Sequence, residues 1–112
     1  MEIEILVVEN FARVKLRGRL DTLGVDKIES KFTGSVVPDG KNTVVDLREV
    51  SFIASMGLRM FIAVAKQLRR RNARMVLFAP QAQVNEVFQT VLLHDIVPIV
   101  ADEAEAVRYA AS

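Results

Sequence analysis

The sequence predicts an α/β fold: a single domain in which a mixed sheet of about five strands packs against about four helices. Short runs of apolar, β-branched residues alternate with longer runs in which apolar residues recur at three- and four-residue steps. The first two apolar runs lie close together, which favours an antiparallel hairpin. The later apolar runs are separated by predicted helices, which favours right-handed crossovers between parallel strands.

Composition indicates one folded domain, residues 1–112, because 51% of the residues are hydrophobic and 26% are charged. The net charge of +1 provides no global field for nucleic acid, so no direct nucleic-acid binding is expected. Cysteine is absent from the sequence, which excludes thiol chemistry and cysteine-ligated metal. No apolar run approaches ~20 residues, and residues 1–4 lack the basic start of a signal peptide. We therefore expect a cytoplasmic protein without a membrane span.

Two strands are predicted near the start of the chain, at residues 2–8 and 11–17, with a turn at Glu9 and Asn10 between them. Apolar and polar residues alternate along both segments, as in half-buried strands. The basic residues of the second strand are interpreted as a solvated face rather than a binding patch; they are Arg13, Lys15 and Arg17.

The first helix is expected after residues 18–21, which end the alternation. Either Asp21 or Thr22 can cap it. Its apolar face consists of Val25, Ile28, Phe32 and Val36. A turn at residues 38–40 then leads into a buried strand at residues 43–47.

The second helix is predicted from Gly57 to about Arg71, after a turn at residues 48–51 and a short return to apolar residues. The residues expected to pack on the sheet are Leu58, Phe61, Ile62, Ala65 and Leu68, with Met56, Met60 and Val64 as a flanking stripe. We interpret the stripe as an outer part of the core; the alternative is an exposed rim that docks a partner. Asn72 is expected to adopt the left-handed conformation after the helix.

The last third of the chain predicts two more strands and two more helices. A continuous apolar run at residues 74–79 is typical of a buried parallel strand. A third helix is expected from Pro80 to about Val91. The following strand, residues 96–100, is assigned to a sheet edge because Pro98 has no N–H to donate. Asp102 is expected to cap the final helix.

Ser55 lies where a strand passes into a helix, and its position allows two interpretations. It can be the N-cap of the helix, which would contribute about 1 kcal/mol. Alternatively, it is a surface hydroxyl open to phosphorylation. Helix N-termini have unpaired N–H groups and favour anions. A phosphate there would change the sign of the surface and leave the fold intact.

The segment from residue 44 to residue 58 resembles the signature of STAS domains, the small domains of bacterial anti-sigma factor antagonists that also occur in sulfate transporters. The family pattern is a V-x-D-L strand, a V-x-F step, and then D-S-[S/A/T]-G-L. Three positions match the end of this pattern: Ser55, Gly57 and Leu58. Two positions depart from it: Ala54 replaces the aspartate, and Met56 replaces the small residue. A weaker match covers Gly18 to Asp21, the Gly-x-Leu-Asp step that ends the second strand.

The resemblance implies an anti-sigma factor antagonist that acts through protein contact. Its partner would be an anti-sigma factor with serine-kinase activity, which phosphorylates Ser55. The docking surface implied by the family comprises Asp21, Ala54, Ser55, Met56, Gly57 and Leu58. Phosphorylation would weaken docking, because a doubly charged group in the contact zone would have to lose its hydration. No cofactor is expected, since the nucleotide would belong to the kinase. Self-association remains open.

The sequence also fits two other functions: a constitutive STAS scaffold or accessory subunit without a phosphorylation switch, and a small-ligand binding module using a cleft above the serine loop. Catalysis is not expected. A serine hydrolase needs a Gly-x-Ser-x-Gly elbow and a base, whereas Ile53 occupies the first glycine position.

His94 is expected to cover the junction between the third helix and the last strand, and no metal site is predicted. Asp46 either joins Asp21 near Ser55 or accepts structural hydrogen bonds.

Overall fold

The alternation of short apolar and longer helical segments produces a five-stranded sheet with four α-helices in the computed structural model, which describes residues 1–8 and 10–111. The elements are β1 (Glu2–Val7), β2 (Phe11–Leu20), α1 (Thr22–Val36), β3 (Asn42–Ile53), α2 (Ser55–Arg69), β4 (Met75–Phe78), α3 (Ala82–Thr90), β5 (Ile99–Val100) and α4 (Glu103–Ala111). A 3₁₀ helix at Leu93–Asp95 connects α3 to β5. The turn predicted at residues 9–10 includes Glu9, which lies outside the described residues. In the described part of the chain, every helix is too short or too polar to cross a bilayer.

The strands lie in the order β1-β2-β3-β4-β5, so their spatial order follows the chain. β1 pairs antiparallel with β2, and the remaining pairs are parallel. This confirms the predicted hairpin and the predicted parallel strands. Because β2, β3 and β4 are parallel, their carboxyl ends meet at one edge of the sheet, where sites usually form in α/β folds.

The two faces of the sheet carry two cores of different size. The larger core lies under α1, α2 and α3, where the ring of Phe61 contacts Phe32 and Phe88 edge to face at centroid distances of 6.3 and 6.4 Å. The smaller core lies under α4, where Ala106 and Ala110 pack against residues of β3 and β4. Of the predicted flanking stripe on α2, Met60 and Val64 are fully buried and Met56 is partly buried, so the core interpretation is confirmed.

The turn predicted at residues 48–51 is wrong, because β3 continues without a break to Ile53. Its pairing with β2 shifts register twice, and each shift places an extra residue on β3. Such bulges disturb the period of two that identifies a strand. Arg48 and Glu49 are both exposed and Val50 is buried, which produces a pattern like that of a turn. β2 likewise extends past residue 17 to Leu20.

Two boundaries near the end of the chain also differ from the prediction. The third helix does not begin at Pro80: Ala79 has a left-handed φ of 55°, and Gln81 is the extended N-cap, so α3 starts at Ala82. The last strand is only Ile99–Val100, because the preceding residues follow the 3₁₀ helix, with the Val97 N–H donating to the Leu93 carbonyl at 2.9 Å.

Other predicted features of these segments are confirmed. β5 lies at the edge of the sheet, as predicted. Asn72 has a left-handed φ of 61°. The Asp102 side chain accepts a hydrogen bond from the Glu105 N–H at 2.9 Å and so caps α4.

The basic residues of β2 do not form the solvated face that was predicted. Arg13, Lys15 and Arg17 are only partly exposed, and each of them forms ion pairs.

Asp46 is a fully buried carboxylate in the middle of β3, on the face covered by α4. Arg48 Nη2 donates to its Oδ2 at 2.7 Å, and Arg13 Nη2 donates to the same oxygen at 3.0 Å. Arg13 Nε also donates to Glu103 of α4 at 2.7 Å. These four side chains, the Asp46 cluster, therefore connect β2, β3 and α4.

Charged hydrogen-bond partners determine the protonation of the Asp46 cluster. Burial opposes ionisation of Asp46, but hydrogen bonds from the side chain and N–H of Arg48 and from Arg13 outweigh it, so the pKa of Asp46 is lowered. The pKa of Glu103 is also lowered, chiefly by the hydrogen bond from Arg13. Both carboxyl groups are therefore ionised near neutral pH. Of the two interpretations of Asp46, the structure supports the acceptor of structural hydrogen bonds.

The Asp46→Asn substitution should destabilise the protein, because it leaves Arg13 and Arg48 without a buried counter-charge. We expect a loss of about 2–3 kcal/mol in the free energy of unfolding, below the about 3–5 kcal/mol of a fully buried pair because Arg48 is half exposed. Urea unfolding at neutral pH measures this loss. Glu49→Gln, which removes only exposed ion pairs, is the control and should have little effect.

Acidification should reduce the difference between the parent and Asp46→Asn. A carboxyl group whose folded pKa is lowered contributes stability above its unfolded pKa of about 4, and loses that contribution as the pH falls through the folded pKa. Equal stabilities of the parent and Asp46→Asn at neutral pH would contradict this role of the cluster, and so would a stability difference between them that grows below about pH 4.

Candidate functional site

Ser55 is an exposed residue at the carboxyl end of β3 and the first residue of α2. The N-cap is Ala54, which has an extended backbone and no side-chain acceptor. The capping interpretation of Ser55 is therefore wrong, because the helix begins one residue earlier than that role requires. The Ala54 N–H donates to the Leu20 carbonyl at 2.9 Å, which fixes the helix start against the end of β2.

Gly57 allows this first turn of α2 to lie very close to the sheet. It is buried, and a Cβ at this position would stand 2.9 Å from Ile53 Cγ1 and 3.1 Å from Leu20 Cβ. Side chains cannot pack that closely without a displacement. Gly57 therefore supports the predicted docking surface from below and cannot itself present a surface to a partner.

Asp21 lies at the same edge of the sheet as Ser55, because Leu20 pairs with Ile53 across β2 and β3. Its Oδ1 accepts a hydrogen bond from the Gly24 N–H at 2.8 Å, so it, rather than Thr22, is the N-cap of α1. This hydrogen bond is the main reason that the pKa of Asp21 is lowered. The side chain remains 39% exposed and accessible to a partner.

The remaining residues of the predicted surface are partly buried: Ala54, Met56 and Leu58. Met56 and Leu58 pack against the edge of the larger core. Ser55 is thus an exposed polar group within a small, partly apolar surface, and the helix N-terminus beneath it favours negative charge.

The sequence pattern of the STAS domain family matches residues 2–106. This chain belongs to the STAS domain family. The anti-sigma-B factor antagonist of Listeria monocytogenes is 32% identical over 88 residues, which cover 79% of this chain and 77% of that protein.

Solved structures share the fold of this STAS domain. An anti-sigma factor antagonist from Mycobacterium paratuberculosis superposes with a TM-score of 0.88 and 20% identity, over 99% of this chain and 94% of that one. The unphosphorylated form of the anti-sigma factor antagonist SpoIIAA has a TM-score of 0.80 and 23% identity, with 96% and 95% of the two chains covered.

Two further exposed side chains, which the sequence analysis missed, lie at the edge of the sheet that carries Ser55. Leu23 in the first turn of α1 is 73% exposed, and Phe52 near the end of β3 is 37% exposed. The guanidinium of Arg19 lies over the Phe52 ring, 4.2 Å from its centroid. Leu23 could have been found from the sequence, because it falls outside the apolar face of α1. Phe52 could not, because its exposure depends on the second register shift in β3.

Asp46 and His94 both lie away from Ser55. Asp46 is enclosed in its cluster with Arg13 and Arg48 and does not join Asp21. His94 lies in the 3₁₀ helix between α3 and β5, as expected for a residue covering that junction. It lines a cleft of about 760 Å³ together with residues of α3 and β5. Neither this cleft nor a second one of about 270 Å³ is lined by Ser55 or its sequence neighbours, within the described residues.

Replacing Gly57 with alanine should destabilise the STAS domain, because the added Cβ collides with Leu20 and Ile53. We expect a loss of about 1–3 kcal/mol in the free energy of unfolding, measured with urea. Gly34→Ala is the matched control: Gly34 is in α1, and nothing lies within 4 Å of the added Cβ. That variant should gain about 0.5–1 kcal/mol from helix propensity. A Gly57→Ala protein as stable as the parent would show that the close packing is not required.

Proposed function

We propose that this STAS domain is an anti-sigma factor antagonist, switched off by phosphorylation of Ser55. Its partner is an anti-sigma factor with serine-kinase activity, which supplies the nucleotide and the catalysis. The unphosphorylated domain binds the partner in the cytoplasm and thereby frees a sigma factor. The observation that carries the proposal is the exposure of Ser55 at the start of α2.

The surroundings of Ser55 support a reversible modification. Ser55 is not the N-cap of α2, so esterification of its hydroxyl removes no capping bond. A phosphate carries close to two negative charges, and the unpaired N–H groups of a helix N-terminus stabilise such an anion. The fold should therefore persist after phosphorylation. SpoIIAA, which shares this fold, has been solved in both its unphosphorylated and its phosphorylated form.

The partner surface in this proposal comprises Asp21, Ala54, Ser55, Met56 and Leu58, supported from below by Gly57. It combines partly buried apolar groups with one exposed hydroxyl and one exposed carboxylate. An unmodified hydroxyl can be enclosed in such an interface with one hydrogen bond. A phosphate there would have to lose its hydration, which opposes docking.

Phosphorylation should occur on Ser55 and nowhere else. The purified domain is incubated with ATP and each anti-sigma serine kinase of the source organism, and the phosphopeptides are mapped by mass spectrometry. We expect one phosphate, which Ser55→Ala abolishes. Ser51→Ala is the matched control, since Ser51 is also exposed and lies nearby at the end of β3. A phosphate that persists in Ser55→Ala would contradict the proposed switch.

The constitutive-scaffold alternative is favoured by Ala54 and Met56, the two departures from the family pattern. A Ser55→Asp variant distinguishes the two functions. The switch predicts that this variant binds the anti-sigma factor at least about ten-fold more weakly than the parent, because a buried charge opposes docking. Equal affinities would favour the scaffold.

Asp21 is proposed to contact the partner in addition to capping α1, and Asp21→Asn separates these roles. Asparagine is as good an N-cap as aspartate, so α1 should be unaffected. Removal of the charge should nevertheless weaken partner binding, measured by calorimetry. Asp21→Ala, which loses both functions, is the comparison variant. Unchanged affinity in Asp21→Asn would restrict Asp21 to capping.

A further inference from the structure

The solvent-facing side of α2 is a basic stripe that starts beside Ser55. The stripe consists of Arg59 and Lys66 in the helix and Arg70 at its C-cap, all of which are exposed. At about 100° per residue, these three side chains and Ser55 fall within about 60° of one another around the helix axis. At about 1.5 Å per residue, the stripe extends about 22 Å from Ser55. The sequence of α2 contains no aspartate or glutamate.

The charge of this stripe is not neutralised within the described part of the chain. Arg59, Lys66 and Arg70 form no ion pair there. The arginines of the sheet behave differently: Arg13 and Arg48 are both paired with the buried Asp46. The net charge of +1 therefore conceals a spatial separation, with compensated charges on the sheet and uncompensated positive charge along α2.

We propose that the basic stripe docks an acidic surface of the anti-sigma partner, next to the contact made by Ser55. This inference rests on the proposed function and specifies the chemistry of the partner. Arg59 lies four residues after Ser55, so the two side chains are neighbours on the helix surface. A phosphate on Ser55 places close to two negative charges at the end of the stripe. It would reverse the local sign and repel the acidic partner.

An acidic protein surface fits the stripe better than a membrane or a nucleic acid. The apolar side of α2 is enclosed in the core by residues such as Phe61 and Leu68, so no apolar face is available to enter a bilayer. The stripe also lacks the interleaved aromatic side chains on which single-stranded nucleic acids stack. Complementary charge between proteins mainly accelerates association.

The test compares two double variants that change the net charge equally. Lys66→Glu with Arg70→Glu reverses the stripe, and Lys27→Glu with Lys31→Glu reverses two exposed residues with the same spacing on α1. Association rates with the purified anti-sigma serine kinases of the source organism are measured by stopped flow. We expect the stripe variant to associate about ten-fold more slowly at low salt, and the α1 variant to change less than about two-fold. The difference should disappear at high salt.

Circular dichroism of both variants confirms folding before the rates are compared. If the parent binds none of the kinases, the proposed function fails together with this inference. If the parent binds but the two variants associate equally, only the basic stripe is excluded. A duplex DNA, or vesicles containing phosphatidylserine, that bound the parent more tightly than the kinase and lost binding in the stripe variant would also overturn it.

Discussion

The close contact between the first turn of α2 and the ends of β2 and β3 determines where Ser55 lies. Gly57 leaves no space between the helix and the side chains of Leu20 and Ile53. The Ala54 N–H donates to the Leu20 carbonyl, and this hydrogen bond holds Ala54, the residue before Ser55, in place. A hydroxyl placed by such packing keeps a defined position relative to Asp21, because protein interiors are close-packed and deform little.

The charges that stabilise this fold and those that we assign to signalling lie on different parts of the molecule. The Asp46 cluster is on the sheet face under α4, where partly buried hydrogen bonds compensate both carboxylates. Ser55 and the basic stripe are on α2, which packs on the opposite face. A phosphate on Ser55 can therefore change the electrostatics of the docking surface without disturbing the ion pairs that connect β3 to α4.

Most of the fold could be predicted from the sequence, because its signals are local. The periodic spacing of apolar residues identifies the strands and helices. Asp21 caps α1 and Asp102 caps α4, as expected. The errors arose where tertiary contacts override local pattern. The end of β3 resembles a turn in the sequence because register shifts against β2 alter its alternation of apolar and polar residues.

The candidate site was only partly predictable, for a related reason. The motif identified Ser55 and Gly57, but the crowding around Gly57 involves Leu20, which is distant in sequence. The role of Asp46 depends on Arg13 and Glu103, which are also distant from it in the sequence.

The most direct test of this account compares the backbone amide NMR spectra of the unphosphorylated protein and the protein phosphorylated on Ser55. A charge switch on a rigid scaffold predicts chemical-shift changes confined to residues near the site, in the ranges 19–24 and 52–60. Changes of similar size throughout β1 and α4 would show that phosphorylation rearranges the fold, and would contradict the central claim.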